Sequence, residues 1–492
     1  MTLRASLQPE DREFFSLWAR MIFTNPFSDE RAESEALVSL PHGRAPGKGR
    51  HRFTAMLPAL NSRIRRLERR GVGVLHRFQG EDRALVEYAF LFQVYHQYLD
   101  ALDQLIELQL AAGDEPVKAP FAEAVLVKLR ERGFNEQEAL GYLGLFYQLR
   151  RAYYFIDHSL VGDSPSMKEL RLALWNNVFT RDVRTYVRHL WNRMEDFSTL
   201  LLGETGTGKG SAASAIGRSG YIPFERKRGH FAHSFTRTFV AINLSEFPET
   251  LIESELFGHR KGAFTGAVEN HEGVFERCSV HGALFVDEIG EVSVPVQIKL
   301  LNVLQNRTFS PVGSHETKRF TGRVIAATNK SLHDLRRART FRDDFFYRLC
   351  SDVIVVPPLR QRIQESPSEF QQLVDLLVAR MTGRRTPRLT AMVLEALKRD
   401  LPKGYPWPGN VRELEQAVRR ILLTGRYAGD LFAVGSSLED TLMSAINEGK
   451  LQAKELVSRY CAVLYRRLGT FDEVARRTGL DRRTVKKYLE TA

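Results

Sequence analysis

A run of glycines follows a short apolar stretch near the middle of the chain, and its spacing suits phosphate chemistry. Leu200-Leu201-Leu202 has the composition of a buried strand, and it leads into Gly203-Glu204-Thr205-Gly206-Thr207-Gly208-Lys209-Gly210. Glycines let the backbone turn tightly, so that successive N–H groups and the start of the next helix face one anion. Lys209 adds a positive charge that can reach the outer phosphates. The pattern G-x-x-x-x-G-K predicts a loop that binds a nucleoside triphosphate.

The last position of this pattern departs from the usual one. A Ser or Thr normally follows the lysine and helps to hold magnesium, whereas this chain has Gly210. Downstream, Gly282-Ala283-Leu284-Phe285-Val286 is an apolar strand that ends in Asp287 and Glu288. In a phosphate-loop enzyme we expect Asp287 to bind Mg²⁺ and Glu288 to be the base that activates water. A solvated acidic turn is the alternative for this pair.

Other polar residues stand where they could reach a bound nucleotide. Thr328 and Asn329 follow another apolar strand, and the ends of parallel strands face the ligand crevice, so we expect them near the γ-phosphate and the attacking water. Arg342 and Arg348 are six residues apart and could stabilise transition-state charge, with surface salt bridges as their alternative role. Arg412 lies in a helix that opens after a rigid Pro-Trp-Pro-Gly turn, and it could reach back to the nucleotide.

Strand-like segments alternate with helices around these residues. Such alternation predicts an α/β domain with a parallel sheet flanked by helices. After residue 361 the chain is expected to be helical to about residue 429, and a last helical region runs to the end. The expected strands, besides the one before the glycine-rich loop, are 238–242, 283–286, 322–327 and 353–356.

Residues 1–160 show the spacing of an all-helical domain, with helices near 9–22, 54–70, 81–112, 121–133 and 135–158. The helix expected at 81–112 carries apolar residues at alternating steps of three and four, as a dimerising coiled coil does. Its apolar surface is wider than such a seam, so a buried helix of a bundle is favoured. The spaced residues are Leu85, Tyr88, Phe92, Tyr95, Leu99, Leu102 and Ile106.

Composition restricts the class of protein. The 492 residues suggest about three domains, and a formal net charge of +12 favours an anionic partner. No apolar run is long enough to span a membrane, since the best candidate at 84–102 is interrupted by polar residues. Three cysteines that lie far apart suit a reducing cytosol and argue against a zinc site or a disulfide framework. These features predict a cytoplasmic protein.

The C-terminal segment 472–489 has the spacing of a helix-turn-helix. Ala475 permits close helix packing, Gly479 makes the turn and Val485 faces inward, while Asp481 caps the second helix. A plain helical hairpin with a solvated basic face is the alternative. The residues expected on the DNA-facing side of the second helix are Arg482, Arg483, Thr484, Lys486 and Lys487.

One hexapeptide between the strands at 238–242 and 283–286 carries a family resemblance. It reads Gly262-Ala263-Phe264-Thr265-Gly266-Ala267 and follows Glu253-Ser254-Glu255-Leu256-Phe257-Gly258-His259-Arg260-Lys261. Residues from about 160 to 430 resemble the AAA+ domain of bacterial enhancer-binding proteins, which activate the sigma-54 form of RNA polymerase. In that family this hexapeptide forms the tip of a mobile loop that presses on sigma-54. An exposed Phe264 between glycine hinges suits such a gripping role. The C-terminal segment is similar to the Fis-type domain that ends many of these activators.

The resemblance implies further roles. Asn243 resembles the switch residue that restrains the catalytic glutamate, and Arg412 resembles the second sensor. Arg342 and Arg348 resemble arginine fingers donated to a neighbouring subunit, which implies a homo-oligomeric ring, expected to be a hexamer. Such a finger increases the rate by about 10³–10⁵, so an isolated subunit should be nearly inactive. ATP and Mg²⁺ are the implied ligands.

Several segments depart from the family pattern. Gly210 stands where the family commonly has an acidic residue, and the segments 171–196 and 218–237 are longer than usual. The sequence alone provides no role for these insertions.

The sequence thus predicts a bacterial ATP-driven transcription activator that binds enhancer DNA and remodels the closed complex of sigma-54 RNA polymerase. The expected domains are an α-helical regulatory domain (1–160), an α/β ATPase subdomain (161–360), a helical lid (361–430) and a linker with a helix-turn-helix (431–492). Two alternatives are an AAA+ remodeller of another kind and a passive DNA-binding regulator without motor activity. Glu288 and the hexapeptide argue against the second.

Overall fold

The structure is a computed structural model that describes residues 5–39, 51–331, 341–429 and 451–490, with the isolated residues 442 and 446. The chain forms two compact units, one of residues 1–373 with 409–412 and the other of 374–408 with 413–492. The first unit joins the expected regulatory and nucleotide-binding regions, so the boundaries of the four domains stay a prediction. Most of the expected linker, residues 430–450, lies outside the described residues.

A five-stranded parallel sheet forms the centre of the first unit. Its strand order is β4-β5-β8-β1-β9, and two short antiparallel hairpins, β2–β3 and β6–β7, lie apart from it. The predicted parallel α/β sheet is confirmed, and each predicted strand lies within one residue of the observed one. The strands are β1 Thr199–Leu202, β2 Phe224–Glu225, β3 His230–Phe231, β4 Phe239–Asn243, β5 Ala283–Asp287, β6 Thr308–Phe309, β7 Lys318–Arg319, β8 Arg323–Thr328 and β9 Asp352–Val355.

Helices cover both faces of this sheet. The prediction of one helix over 81–112 is wrong, because Tyr98 leaves the helical conformation and separates α4 from α5. The sequence analysis also missed α2. In chain order the helices to residue 382 are α1 Pro9–Phe23, α2 Asp29–Ser39, α3 His51–Arg69, α4 Gly80–Gln97, α5 Leu99–Ala112, α6 Ala122–Glu131, α7 Glu136–Ser159, α8 Pro165–Phe179, α9 Val183–Thr185, α10 Lys209–Gly217, α11 Glu249–Phe257, α12 Val274–Arg277, α13 Val294–Asn306, α14 Asp343–Leu349, α15 Leu359–Glu365 and α16 Pro367–Thr382.

The two faces of the sheet belong to two hydrophobic cores. Successive strand residues point to opposite faces, so Leu200 packs on one side and Leu201 on the other. The core that contains Leu201 and Phe285 is continuous with the apolar residues of the N-terminal helices. Phe92 and Ile106 are buried in this same core, which confirms the favoured interpretation of 81–112 as buried bundle structure. The N-terminal helices and the sheet therefore share one core.

The long segment 218–237 forms a hairpin that packs on the N-terminal helices. Arg226 donates to Glu123 in α6 and to Glu136 in α7, both at 2.6 Å. The ring of Phe231 stacks on Tyr147 of α7 with centroids 4.0 Å apart. This insertion thus joins the nucleotide-binding region to the helices that precede it.

The second unit is helical. Tyr405 and Tyr427 both donate to the carboxylate of Glu413, at 2.5 and 2.9 Å, and so join the turn before α18 to the chain after it. No helix among the described residues of the whole chain is long and apolar enough to cross a membrane. The remaining helices are α17 Pro387–Asp400, α18 Asn410–Thr424, α19 Ala453–Leu468, α20 Phe471–Thr478 and α21 Arg482–Glu490.

Candidate active site

The carboxyl ends of β1, β5 and β8 bring the predicted chemistry together. These three strands are parallel neighbours, with Leu202 in register with Thr328. The Asn329 side chain donates to the Thr205 hydroxyl at 3.0 Å, and the Asn329 N–H donates to a Glu288 carboxylate oxygen at 3.4 Å. Asn329 therefore connects the glycine-rich loop with the expected base.

The glycine-rich loop has the backbone that its sequence predicts. Gly206 and Gly208 have φ values of +79° and +105°, which L side chains rarely adopt. A Cβ on Gly206 would collide with the Gly409 carbonyl oxygen. Because α10 starts at Lys209, the unpaired N–H groups and positive dipole of its first turn face the loop. This arrangement is a cradle whose geometry suits an anion.

Lys209 lies buried within this cradle. Its ammonium donates to the carbonyl oxygens of Gly203 at 2.8 Å and Glu204 at 3.3 Å. Burial lowers the pKa of Lys209, while the nearby carboxylates of Glu288 and Asp287 act to raise it. A cation held by carbonyl oxygens alone can transfer its hydrogen bonds to phosphate oxygens, which are stronger acceptors.

Asp287 ends β5, and Glu288 follows it in a strained turn. Glu288 has φ of +55°, and its N–H donates to the Asp287 carboxylate at 3.0 Å. Left-handed backbone at a residue other than glycine is uncommon and often occurs at functional sites. The turn directs two carboxylates towards the edge where the loop lies.

Asp287 fits a magnesium site in which the protein provides few of the ligands. Within the described part of the chain, no three His, Cys, Asp or Glu side chains form a group that could hold a metal by themselves. Magnesium needs few protein ligands when substrate phosphates and water complete its octahedral shell. Asp287 can provide one such carboxylate. When bound, Mg²⁺ would neutralise charge on the β- and γ-phosphates.

The sequence analysis missed two residues, Arg360 and Asn410, that hold the glycine-rich loop in place. Arg360 donates to both carboxylate oxygens of Glu204, at 2.7 and 2.5 Å, and this ion pair lowers the pKa of Glu204. Asn410 is fully buried with φ of +52°, and its amide donates to the Thr205 carbonyl at 3.1 Å. The start of α18 thereby places Arg412 next to Gly206. An asparagine directly after Pro-Gly at a helix start was the available signal.

The side chain of Asn243, the expected switch residue, has its partners away from the glycine-rich loop. Asn243 is in register with Asp287, but its side chain bonds to Ser245 at 2.8 Å and to Glu246 at 3.2 Å, and no hydrogen bond joins it to Glu288. The switch role of Asn243 therefore stays a prediction.

The two expected arginine fingers lie around α14. Arg342 is exposed and pairs with Asp344 at 2.7 Å, while Arg348 donates to the Leu304 carbonyl at 2.9 Å. Neither of them hydrogen-bonds to the glycine-rich loop of its own chain. Their role as fingers stays a prediction.

Gly210 lies in open space, which allows a direct test of the missing hydroxyl. A Cβ there would meet only Phe285, at 4.0 Å. We expect Gly210→Ser to lower the Mg²⁺ concentration that half-saturates nucleotide turnover by about tenfold, because its hydroxyl adds an oxygen next to the metal. Titration of turnover with Mg²⁺ measures this effect.

Gly210→Ala is the matched control for that substitution. Both variants should stabilise the fold by about 0.5–1 kcal/mol, since glycine is unfavourable within a helix. Only the serine should change the magnesium requirement. Equal magnesium curves for the two variants would show that position 210 has no access to the metal.

The hexapeptide forms a compact exposed turn. Gly262 and Gly266 have φ of +81° and +102°, and the Ala267 N–H donates to the Phe264 carbonyl at 3.0 Å. Phe264 is 38% exposed, and its ring has an edge contact with His259 at 4.9 Å between centroids. Thr265 is exposed beside it. The loop therefore displays an aromatic ring to solvent at its tip.

The three C-terminal helices form a small domain core of their own. Val474 and Val485 pack on Cys461, and Gly479 takes φ of +72° between α20 and α21. The Asp481 carboxylate accepts from the N–H groups of residues 483 and 484 at 2.9 Å, which is the predicted cap. The observed turn, cap and core agree with the predicted helix-turn-helix spacing.

The basic residues of α21 are exposed, namely Arg482, Arg483, Lys486 and Lys487, while Thr484 is half-buried. Arg482 lies 3.4 Å from the Asp472 carboxylate. Contact of these residues with DNA stays a prediction.

This fold and site define a P-loop nucleotide-binding protein of the AAA+ class. The sheet order, the loop after β1 and the Asp-Glu pair at the end of β5 are the features that carry this assignment. A family model described as the Sigma-54 interaction domain matches residues 178–355.

Three relatives refine the assignment. The DNA-binding transcriptional regulator NtrC of Rhizobium meliloti (strain 1021) is 35% identical over 371 residues, which are 72% of this chain and 69% of that protein. The nitrogen fixation protein AnfA of Azotobacter vinelandii is 36% identical over 76% of this chain and 63% of its own length. The Nif-specific regulatory protein of the same organism is 39% identical over 55% of this chain, and the match spans 45% of that protein. The chain belongs to the family of sigma-54-dependent transcriptional activators.

Proposed function

We propose that this protein hydrolyses ATP and uses the energy to remodel the closed complex of sigma-54 RNA polymerase at promoters that it reaches through enhancer DNA. One observation supports this most directly. The loop that displays Phe264 and Thr265 lies between β4 and β5, whose ends carry Asn243 and Asp287 in register. The catalytic edge and the exposed aromatic tip are thus joined by short segments of chain.

The chemical step follows from the site. Lys209 and the backbone N–H groups of the cradle bind the phosphates, and Asp287 would hold Mg²⁺. Glu288 accepts a proton from the attacking water, which Asn329 and Thr328 help to position. Negative charge that develops on the γ-phosphate in the transition state is stabilised further by a second cation beside Lys209.

We infer that Arg342 and Arg348 of a neighbouring subunit supply this charge, so that the working form is a homo-oligomeric ring, with six subunits as the expected number. Their exposed and half-exposed positions near α14 support this arrangement. A planar guanidinium suits bidentate contact with phosphate oxygens. The activity would take place in the bacterial cytoplasm, where promoter DNA and polymerase meet.

The direct test is transcription with purified components. Full-length protein, sigma-54 polymerase and a supercoiled template with an enhancer should give open complexes with ATP and none with a non-hydrolysable analogue. Stable binding of sigma-54 in the presence of a transition-state analogue of ATP should accompany this. ATP hydrolysis without either effect would instead identify a remodeller of another kind.

We propose that α21 enters the DNA major groove. Lys487→Ala should weaken binding to every sequence and reduce the slope of log K against log salt by about one, since one phosphate contact is lost. Arg483→Ala should instead lose about tenfold in affinity at one base pair of the site. Equilibrium binding at several salt concentrations measures both effects. Lys454→Ala, at the exposed start of α19, is the control and should change neither quantity. Unchanged DNA binding in both α21 variants would contradict this placement.

A further inference from the structure

A cavity of about 540 Å³ lies in the first unit, among the N-terminal helices and the chain that precedes β1. Its volume is within the range of pockets that hold small organic molecules. The nucleotide site contributes no residue to it. Aromatic rings form much of its wall, among them Phe23, Tyr88, Phe92, Tyr95, Phe146 and Trp175.

The buried charges in this wall are already paired. Arg31 donates to Glu35 at 2.7 Å, and Arg150 donates to Asp103 behind the wall at 2.8 Å. The half-buried Glu87 accepts from the Tyr142 hydroxyl at 2.6 Å. Burial lowers the pKa of His96 to about 3, so its imidazole is uncharged at neutral pH. A charged ligand would lose its hydration here next to ions that already satisfy one another.

The exposed part of the lining carries two hydrated cations, and an acid, Asp100, is exposed there as well. Arg184 and Arg188 belong to the helical turns at 183–190 and are exposed to solvent. Arg184 lies over the ring of Phe23 at 4.9 Å from its centroid. Exposed charges are screened and contribute little to binding. The interior therefore favours an uncharged, flat and mostly apolar ligand.

The regularly spaced apolar residues of 81–112 and the insertion at 171–196 both contribute to the wall of this cavity. The regularly spaced residues Tyr88, Phe92, Tyr95 and Leu99 form one side of it. The insertion at 171–196 adds Trp175, Val183, Arg184, Val187 and Arg188 to its lining. Both features thus build a site instead of a dimer seam.

One helix connects the cavity with the nucleotide loop. Phe146, Leu149 and Arg150 of α7 line the cavity. Arg151, on another face of α7, is fully buried and donates to the Gly220 carbonyl at 2.6 Å and the Arg218 carbonyl at 2.5 Å. These carbonyls follow the end of α10, the helix that starts at Lys209.

Gln148 adds to the same contact. Its amide donates to the Ser219 carbonyl at 2.9 Å. Since α7 packs on α10 and holds the chain directly after it, a shift of α7 must move or strain that helix. Two packed helices transmit such a shift because a close-packed core does not deform freely.

We propose that the cavity is a regulatory site for an uncharged molecule with one or two flat rings, and that its occupancy changes ATP turnover through α7 and Arg151. The binding site stands independently of the proposed function, whereas the effect on turnover rests on it. A ligand changes turnover only if it binds one arrangement of α7 more tightly than another.

Calorimetric titration of the full chain without nucleotide tests the site. Indole and 1-naphthol are the uncharged probes, and 1-naphthoate and 1-naphthylmethylammonium are their charged counterparts. We expect saturable binding of one molecule per chain for an uncharged probe, with the charged compounds at least about tenfold weaker. Failure of both uncharged probes, or tighter binding of a charged one, would overturn the proposal.

Variants that fill the cavity provide the control. Ala84→Trp in α4 and Leu57→Trp in α3 place an indole in the cavity from two different helices, so one of them can fail to fold without loss of the test. Leu108→Trp adds the same group at an exposed position of α5. Binding should be lost in each folded filling variant and kept in Leu108→Trp. Undiminished binding in the filling variants would place the probe elsewhere.

Turnover measured with a saturating probe tests the connection. We expect the probe to change the ATPase rate of the unmodified chain by about twofold or more. Arg151→Met should keep probe binding and lose this change, because Met fills similar space but cannot donate to the carbonyls after α10. An unchanged rate in the unmodified chain would overturn the connection. Absence of any ATPase activity would refute the proposed function and leave the binding result intact.

Discussion

Glu288→Gln should bind ATP as the unmodified chain does and hydrolyse it about 10²–10⁴ times more slowly, because the amide cannot accept the proton of the attacking water. The substitution keeps the size of the side chain and an oxygen that can accept the Asn329 N–H. Lys209 and the glycine-rich loop are untouched, so the affinity for ATP should persist. Steady-state phosphate release and equilibrium binding of a labelled ATP analogue measure the two quantities.

Glu291→Gln is the matched control for this experiment. Glu291 lies three residues further on, is exposed and pairs with Lys330 at 2.9 Å. Loss of this surface pair should leave turnover within about twofold, since exposed ion pairs contribute little. If Glu288→Gln hydrolysed ATP at a near-normal rate, another group would have to be the base.

Phe264→Ala should separate hydrolysis from its output. The side chain makes an edge contact with His259 and belongs to no part of the nucleotide site. Backbone hydrogen bonds hold the turn, and Gly262 and Gly266 allow its positive φ values, so the loop should keep its shape without the Phe264 side chain. ATP turnover and assembly should therefore be retained, whereas sigma-54 engagement and open-complex formation should be lost. All of these are measured on one preparation.

Val268→Ala controls for a general effect on this loop. Val268 is 71% exposed and lies just beyond the hexapeptide, so its truncation removes apolar surface without touching the tip. Open complexes should form normally in this variant. If Phe264→Ala formed as many open complexes as the unmodified chain, the loop would not be the element that acts on sigma-54.

The physical link between these two experiments is the sheet. Asn243 and Asp287 end neighbouring strands in register, and the chain between them contains α11, the exposed loop and α12. Differences in contact with the γ-phosphate at this edge can therefore change the position of the loop. A nucleotide can shift such an element only by contacts that differ between its two positions.

The sequence by itself determined the local parts of this protein. The cradle follows from Gly206, Gly208 and Lys209, because positive φ and a helix start are properties of a few adjacent residues. The strands of the five-stranded sheet were predictable because their residues are mostly apolar and polar side chains follow them. The Asp481 cap was predictable because a carboxylate at that spacing reaches the free N–H groups. Each of these signals is complete within about ten residues.

Tertiary structure alone decided the features that depend on distant segments. Arg360 and Asn410 hold the loop from more than 150 residues away in the sequence, and Arg226 fastens its hairpin to helices about 90 to 100 residues earlier. No proline or glycine marks the break at Tyr98. The aromatic side chains of α4 line a cavity together with residues of α7, α8 and other distant segments. A periodic apolar pattern shows which face is covered, but the partner that covers it is set by packing across the whole chain.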